Sequence, residues 1–179
     1  GQTINIGAGS TALGLSQNEI NTVHTTGQLT IGGSTHTGTI TVDGNANINN
    51  ATAQTFLIQN QGGIVVNAQL TANAVGGPTI NMDTPGSITG NPVSGLITAD
   101  SYTIIQSGGI GSVAAPLKTN VNELTAANSV SGDLVIDNQK SVTLVGQFKN
   151  TAAGGKLWLS VTNGSIDTGT VNVSTNNGQ

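Results

Sequence analysis

Apolar and polar residues alternate over short runs throughout the chain. KLWLSV (156–161) and DLVID (133–137) place Leu, Ile or Val at every second position. Such alternation is typical of a β-strand that buries one face. Similar runs, with turn-forming residues near their ends, are TITV (39–42), TINM (79–82), YTII (102–105) and VTLV (142–145). The pattern predicts an all-β protein built from many short strands.

One segment, SQNEINTV (16–23), has helical features instead. Ser16 and Glu19 have the spacing of a capping box, and Ile20 and Val23 stand one helical turn apart. The segment is therefore expected to form either a short turn of helix or a loop that closes a coil. No other segment has helical periodicity, so the expected helix content is below about one-fifth.

Glycine recurs at a constant interval of about 23 residues, at Gly63, Gly86, Gly109, Gly132, Gly155 and Gly178. A turn-forming residue precedes each of these glycines. Apolar residues follow two positions later at Val65, Ile88, Leu134 and Leu157, and four positions later at Val113, Ile136 and Leu159. A repeat of one turn and short strands cannot bury its apolar face alone, so neighbouring repeats must stack. The repeat therefore indicates a solenoid with glycines of positive φ at its corners.

The expected fold is a right-handed parallel β-helix of roughly eight coils, each of about 23 residues, and about 38 Å long. Upstream of Gly63 the interval fails, because Gly38 and Gly14 fit only if the first coils have 24 or 25 residues. Residues 1–179 are interpreted as one β-helix segment of a much longer repeat protein. The pattern breaks off within strand-like runs at both ends, and we expect the solenoid to continue past Gln179.

Composition narrows the possible functions. Aromatic residues are 2% of the chain and charged residues 7%, which suits a long narrow core of Val, Ile, Leu and Ala. The four basic residues are all lysines, too few to neutralise several phosphates, so nucleic-acid binding is not expected. There is no cysteine for a disulfide or thiolate site, and no apolar run approaches the ~20 residues of a membrane span.

Two stretches resemble a known family. LGLSQNEINTVHTTGQLTIGGSTHTGTITVDG (13–44) and GLITADSYTIIQSGGIGSVAAPLKTNVNELTA (95–126) are similar to the repeat region of filamentous-haemagglutinin-like exoproteins. The resemblance implies a very long protein, secreted to the surface of a Gram-negative bacterium by an outer-membrane partner. In that family the β-helix forms the shaft. The NPNG-type motif of the family's secretion domain is absent from this sequence.

Few residues suggest chemistry. A metal site at His24 and His36 would need a nearby carboxylate, and Glu19 and Asp43 stand at no recognised spacing, so both histidines are interpreted as exposed loop residues. Asp133 and Asp137, with Lys140 close behind, project from one side of a strand. They suit either a glycosidase or lyase site or the decoration of a coil, and decoration is preferred.

The other candidates are also interpreted structurally. Asp43, Asp83 and Asp167 stand at strand ends, as turn residues do, and no calcium-binding nine-residue repeat surrounds them. Alternation points Trp158 outward, where a loop or partner covers it or a sugar ring stacks on it. Sequons at Asn50, Asn163 and Asn172 are no more frequent than chance predicts in a chain this rich in Asn, Ser and Thr.

The sequence therefore predicts a non-enzymatic structural shaft or adhesin segment, without catalytic residues, cofactor or metal. Its expected partners are the outer-membrane secretion partner and components of host-cell, bacterial or matrix surfaces. One alternative is a β-helical protein that binds or cleaves carbohydrate, which would cluster charged groups in adjacent coils. The other is an ice-binding solenoid, which would present one flat face of threonines.

Overall fold

The computed structural model describes residues 1–8, 13–48, 55–72 and 78–176, which contain short strands and one four-residue helix. In chain order the elements are β1 (Ile4–Gly7), β2 (Leu13–Ser16), α1 (Gln17–Ile20), β3 (Gln28–Gly32), β4 (Ile40–Val42), β5 (Ala46–Asn47), β6 (Thr55–Gln59), β7 (Ile64–Val66), β8 (Gln69–Ala72), β9 (Thr79–Asp83), β10 (Ile88–Gly90), β11 (Leu96–Gln106), β12 (Leu117–Asn128), β13 (Leu134–Asn138), β14 (Val142–Asn150), β15 (Leu157–Val161), β16 (Ile166–Asp167) and β17 (Val173–Thr175). No helix of the described residues is long and apolar enough to cross a membrane.

Parallel ladders stack these strands into three faces of a solenoid. The first face carries β2, β1, β4, β7, β10, the isolated bridge at Ile110, β13 and β15. The second carries β5, β8 and the first halves of β11 and β12. The third carries β3, β6, β9, the second halves of β11 and β12, and then β14, β16 and β17. The expected all-β parallel β-helix is confirmed, and its handedness stays a prediction.

The solenoid has about six turns rather than eight. One column of the first face runs through Ile4, Ile40, Ile64, Ile88, Ile110, Leu134 and Leu157, and each step is one turn. The first turn is much longer than the next, because β2 and α1 are inserted into it. Dividing the chain length by the glycine interval therefore overestimated the number. Six steps at the spacing of stacked strands give a rod of about 29 Å.

The evenly spaced glycines from Gly63 to Gly155 lie at one corner, but at two different positions in it, and Gly178 lies outside the described residues. The step from Ile88 to Ile110 contains fewer residues than the steps on either side. Because the glycines keep a constant spacing, they drift by one residue relative to the inward residues of this column. Gly109 stands directly before Ile110 and has a φ of 115°. Gly86 stands two residues before Ile88 and lacks the expected positive φ. It is needed because a Cβ there would lie 2.6 Å from the Gly63 nitrogen.

Three further residues differ from the sequence prediction, and the drift accounts for the first of them. Val65 pairs with Thr41 and Thr89 on the outer side of the first face, while its neighbours Ile64 and Val66 are buried. Val113 is 46% exposed in a loop, and Gly14 belongs to β2 rather than to the glycine corner. The turn from Ile40 to Ile64 has the expected length, with Gly38 against Gly62, whereas the first turn, from Ile4 to Ile40, is longer than expected.

The core consists of columns of inward side chains that touch their equivalents in the turns above and below. One column of the third face contains Leu29, Phe56, Ile80, Tyr102, Leu124 and Leu144. In the adjacent column, small Ala126 stands beside Phe148, which keeps the local volume filled. Burial raises the pKa of Tyr102, whose hydroxyl donates to the sulfur of Met82 at 3.1 Å. The few large rings are thus spread along the rod.

The helical segment forms as its sequence predicts. The Ser16 hydroxyl accepts from the Glu19 N–H at 3.3 Å, and the Ser16 N–H donates to the Glu19 carboxylate at 2.8 Å. Hydrogen bonds from the Ser16 backbone and hydroxyl lower the pKa of Glu19. The side-chain amide of Gln17 bonds both backbone groups of Asn47, at 2.6 and 2.9 Å, as a neighbouring strand would. The helix thereby covers an edge of β5 on the second face.

We expect Gly109→Ala to lower the free energy of unfolding by about 1–3 kcal/mol, because alanine is strained at a φ far in the positive region. The matched control is Gly33→Ala, where no atom lies within 4 Å of the new methyl group and φ is not in that region. Urea unfolding followed by circular dichroism measures both. Equal stability of the two variants would contradict the assignment of Gly109 to a strained corner.

Amide hydrogen exchange is expected to be much faster at Val171 and Val173 than at Leu134 and Ile136. The Val171 N–H makes a local bond to Thr168 O at 2.9 Å, and Val173 is 44% exposed. Strand β13, by contrast, has β12 on one side and β15 on the other. Exchange measured by NMR on the monomer checks this, and equal protection factors would show that the last turn is as stable as the middle of the rod.

Candidate functional site

Charged residues of two successive turns and polar residues of a third meet in one groove on the outside of the solenoid. Lys118, Asp137 and Lys140 line it, and its other lining residues are Asn120, Gln139, Thr162 and Asn163. Its volume is about 570 Å³. Two of the four lysines of the chain contribute to this groove, so charge is concentrated here in a protein with few charged residues.

The parallel ladder sets the positions of these side chains. Lys118 of β12 pairs with Asp137 of β13, and Asp137 pairs in turn with Ser160 of β15. Neighbours in such a ladder stand about 4.8 Å apart and project to the same side. The three residues therefore form a short outward row that crosses three turns.

Asp137 is held by the next turn of the solenoid. Its Oδ1 accepts hydrogen bonds from the Ser160 hydroxyl at 2.9 Å and from the Thr162 hydroxyl at 3.2 Å. Both donors reach the same oxygen, and no hydrogen bond from the described residues engages the second oxygen of the carboxylate. The carboxylate is thus fixed in orientation beside Lys118.

A buried asparagine builds the corner that presents Gln139 and Lys140. The Asn138 side chain donates to Lys140 O at 2.6 Å and to Val121 O at 3.1 Å, and it accepts from the Thr119 hydroxyl at 2.8 Å and the Val121 N–H at 3.0 Å. These bonds use both donors and both acceptor sites of the amide. The floor of the groove is therefore tied to the interior of the rod.

Trp158 lies next to the groove on the same outer surface. Leu157, Leu159 and Val161 pack against the core, and Trp158 is 49% exposed, so its predicted outward direction is confirmed. Trp158 and Ser160 are two residues apart on β15, and an extended strand separates such positions by about 7 Å. The only indole of the chain therefore stands one ladder row from Lys118 and Asp137.

Beside Trp158, an outward valine is covered by a loop. Val135 pairs with Trp158 and is only 2% exposed, although it lies outside the core cluster. On its other side the chain leaves the first face after Ile110 and returns at Leu117, which pairs with Ile136. The intervening loop 111–116 occupies the place of the missing strand. The expected loop cover thus applies to Val135, whereas half of Trp158 stays exposed.

Asp133 and Asp137 do not form a glycosidase pair. Asp133 precedes β13 and accepts from the Lys156 N–H at 2.9 Å, whereas Asp137 lies near the other end of the strand. Four residues of extended chain span about 13 Å, which exceeds the separation of about 5–9.5 Å in glycosidases. The sequence suggested that Asp137 acts together with Asp133, whereas the structure places Asp137 next to Lys118.

The two histidines are not brought together with carboxylates. His24 is exposed, as expected, but His36 is half-buried and its Nε2 has no hydrogen-bond partner among the described residues, so the exposed interpretation of His36 is wrong. In the described ranges, no three His, Cys, Asp or Glu side chains are grouped closely enough to hold a metal ion. The histidines therefore give no basis for a site.

The remaining candidates occupy turns and strand ends. Asp43 follows β4, Asp167 accepts from the Gly169 N–H at 2.9 Å, and Asp83 accepts from the Gln59 amide at 2.7 Å in the preceding turn. Asn163 is exposed at the rim of the groove, and Asn172 is exposed near the C-terminal end. Asn50 lies outside the described residues.

The threonines of one outward column in the described residues do not form a flat face. On the third face, an outward column runs Thr30, Leu57, Asn81, Thr103 and Thr125. The leucine and the asparagine interrupt the regular hydroxyl array that an ice-binding surface would need. This column therefore does not favour the ice-binding alternative.

Comparison of this chain with protein-family models, curated proteins and solved structures finds no match. The fold class is therefore defined by the structure alone, as a parallel β-solenoid, and the resemblance to filamentous-haemagglutinin-like exoproteins contributes only to a proposal.

The sequence did not reveal Lys118, Gln139 or Asn163 as groove residues. Fewer residues separate Lys118 from Asp137 than separate successive glycines of the repeat. The glycine interval therefore does not identify the two residues as ladder neighbours. Loop 111–116 lengthens the turn that contains it, because its residues do not advance the chain around the solenoid. This loop precedes Lys118, so its residues do not lie between Lys118 and Asp137. A signal was available in the concentration of two of the four lysines at 118–140, but the ladder register is needed to interpret it.

We expect Asn138→Ala to lower the free energy of unfolding by at least about 2 kcal/mol, because it leaves buried groups of Thr119 and Val121 without partners. Asn120→Ala is the matched control, since Asn120 projects outward from the same region into the groove. Thermal unfolding of both variants tests the expectation. A loss no larger than that of the control would mean that the buried network is not important for the corner.

Proposed function

We propose that this chain is a non-enzymatic, rigid segment of a secreted or cell-surface bacterial exoprotein that supports adhesion. The observation that carries the proposal is the solenoid itself, because about six stacked turns with continuous core columns make a stiff rod. Such a rod separates surfaces or presents a binding face at a distance. The similarity of 13–44 and 95–126 to filamentous-haemagglutinin-like repeats supports the same role.

The polar, weakly charged outer surface also suits an adhesive shaft. Outward positions of the strands are mostly Thr, Asn, Gln and Ser, and neither of the two polar grooves in the described residues contains a pair of carboxylates. By this proposal the partners are components of a host-cell, bacterial or matrix surface. An outer-membrane secretion partner of a Gram-negative bacterium would export the protein.

Beads coated covalently with the folded chain are expected to attach to cultured epithelial cells, extracellular matrix or bacterial cells more often than control beads. The control carries the same amount of the chain coupled in denaturant, which keeps the composition and removes the fold. Attachment counted under flow measures the effect. Equal attachment of the two bead types on all three surfaces would refute an adhesive role.

The proposal also predicts that the native chain releases no products from plant or bacterial polysaccharides. Reducing-end and ultraviolet assays detect hydrolysis and β-elimination, respectively. Activity that Asp133→Asn together with Asp137→Asn abolishes would instead identify a carbohydrate-cleaving enzyme. Without such activity, the structural contacts described above account for the positions of the two carboxylates.

A further inference from the structure

We propose that the groove beside Trp158 binds an acidic saccharide, a sugar chain that carries carboxylate groups. This inference rests on the proposed adhesive function and specifies the chemistry of its partner. It is carried by one juxtaposition: the ladder places Lys118, Asp137 and Ser160 in a row, and Trp158 stands one position from that row. Cation, carboxylate, amides and indole thus share one outer surface.

The charge of the groove selects an anion. Lys118 and Lys140 provide two ammonium groups against the single carboxylate of Asp137, so the groove is locally positive in a chain with a net charge of −4. A ligand carboxylate between the two ammonium groups would accept charge-assisted hydrogen bonds. Two lysines are too few to hold a phosphate polymer at ordinary salt, which disfavours nucleic acid.

The neutral groups of the groove match the hydroxyl groups of a sugar. Asn120, Gln139 and Asn163 offer amide donors and acceptors. Ser160 and Thr162 both donate to one oxygen of Asp137, so its second oxygen can accept a hydrogen bond from a sugar hydroxyl. The buried network of Asn138 holds this corner in place before a ligand arrives. A preorganised set of donors and acceptors reduces the ordering cost of binding.

Trp158 supplies the apolar part of the site. Its half-exposed indole can pack against the C–H face of a sugar ring, and buried Val135 with loop 111–116 supports it on one side. The distance of about 7 Å between successive outward positions on β15 separates the indole from the polar row. A chain of at least two sugar units is therefore needed to contact both parts.

Three other grooves in the described part of the chain lack this combination of features. The groove lined by Gln17, Asn45, Asn47 and Gln69 contains amides but no charged side chain. The cavities near Leu15 and Leu159, at the two ends of the rod, are lined mainly by apolar side chains. The Trp158 groove is thus the described surface best suited to an acidic sugar.

The single tryptophan makes the proposal directly measurable. Titration of the full chain with short oligogalacturonate should shift or quench the Trp158 fluorescence in a saturable way, and binding should weaken as salt is raised from about 50 to about 500 mM. The methyl ester of the same oligosaccharide, which has no charge, should bind about tenfold more weakly. Equal binding of the ester, or no fluorescence change with the acid, would overturn the proposal.

Matched variants separate the contributions. Lys118→Gln with Lys140→Gln should weaken binding about tenfold or more, whereas Lys149→Gln, on the third face, should leave it unchanged. Trp158→Ala should weaken binding about fivefold when measured by calorimetry, and Trp158→Phe should restore part of it. Unchanged melting temperatures would show that these variants are folded. Equal losses in the Lys149 variant would indicate nonspecific charge attraction and refute the site.

The same variants distinguish a failure of this inference from a failure of the adhesive role. Coated beads that still attach when they carry Lys118→Gln and Lys140→Gln would refute the groove as the adhesive surface and leave the shaft function standing. Saturable oligogalacturonate binding without any bead attachment would support the saccharide site and refute adhesion. Stronger binding of sulfated oligosaccharide or of short single-stranded DNA than of oligogalacturonate would overturn the assignment to carboxylated sugars.

Discussion

The interturn hydrogen bond is the interaction on which this structure depends. Along the first face, the N–H groups of Ile4, Ile40, Ile64, Ile88, Ile110 and Leu134 donate in succession to a carbonyl of the following turn, at 2.7–3.1 Å. No turn can satisfy its backbone alone, so the turns form together and in one register. That register also decides which side chains touch, because inward columns, outward rows and the Trp158 groove all consist of ladder neighbours.

The corners of the solenoid need a second set of hydrogen bonds, because the chain bends there and its backbone polar groups turn away from the ladders. Buried asparagine side chains provide these hydrogen bonds. Asn128 accepts from the Gly109 N–H at 3.2 Å and donates to Asn150 at 3.1 Å, while Asn150 donates to Lys156 O at 2.7 Å. Asn138 does the same at another corner, next to the groove. The abundance of asparagine therefore has a structural cause in addition to its usual role in exposed turns.

Local features of the fold could be predicted from the sequence, whereas those that depend on register could not. Alternation located β13 and β15, and the capping box located α1, because each pattern lies within a few residues. The number of turns, the place of Val113 and the partner of Asp137 depend on how many residues each turn uses. Loop 111–116 and the unequal lengths of the turns change that number, and neither can be recognised from the constant spacing of the glycines. The groove was missed for this reason, although the outward direction of Trp158 was predicted.

The excursion between Ile110 and Leu117 has a further consequence for how such a chain can change. Both ends of the loop remain in inward columns, and its turn is closed by the mutual backbone bonds of Ser112 and Ala115 at 2.9 and 3.0 Å. Added length at this point extends into solvent without altering the stacked interior. The rod thus contains a natural insertion point, at which evolution or an engineer can display a foreign peptide while the scaffold beneath keeps its shape.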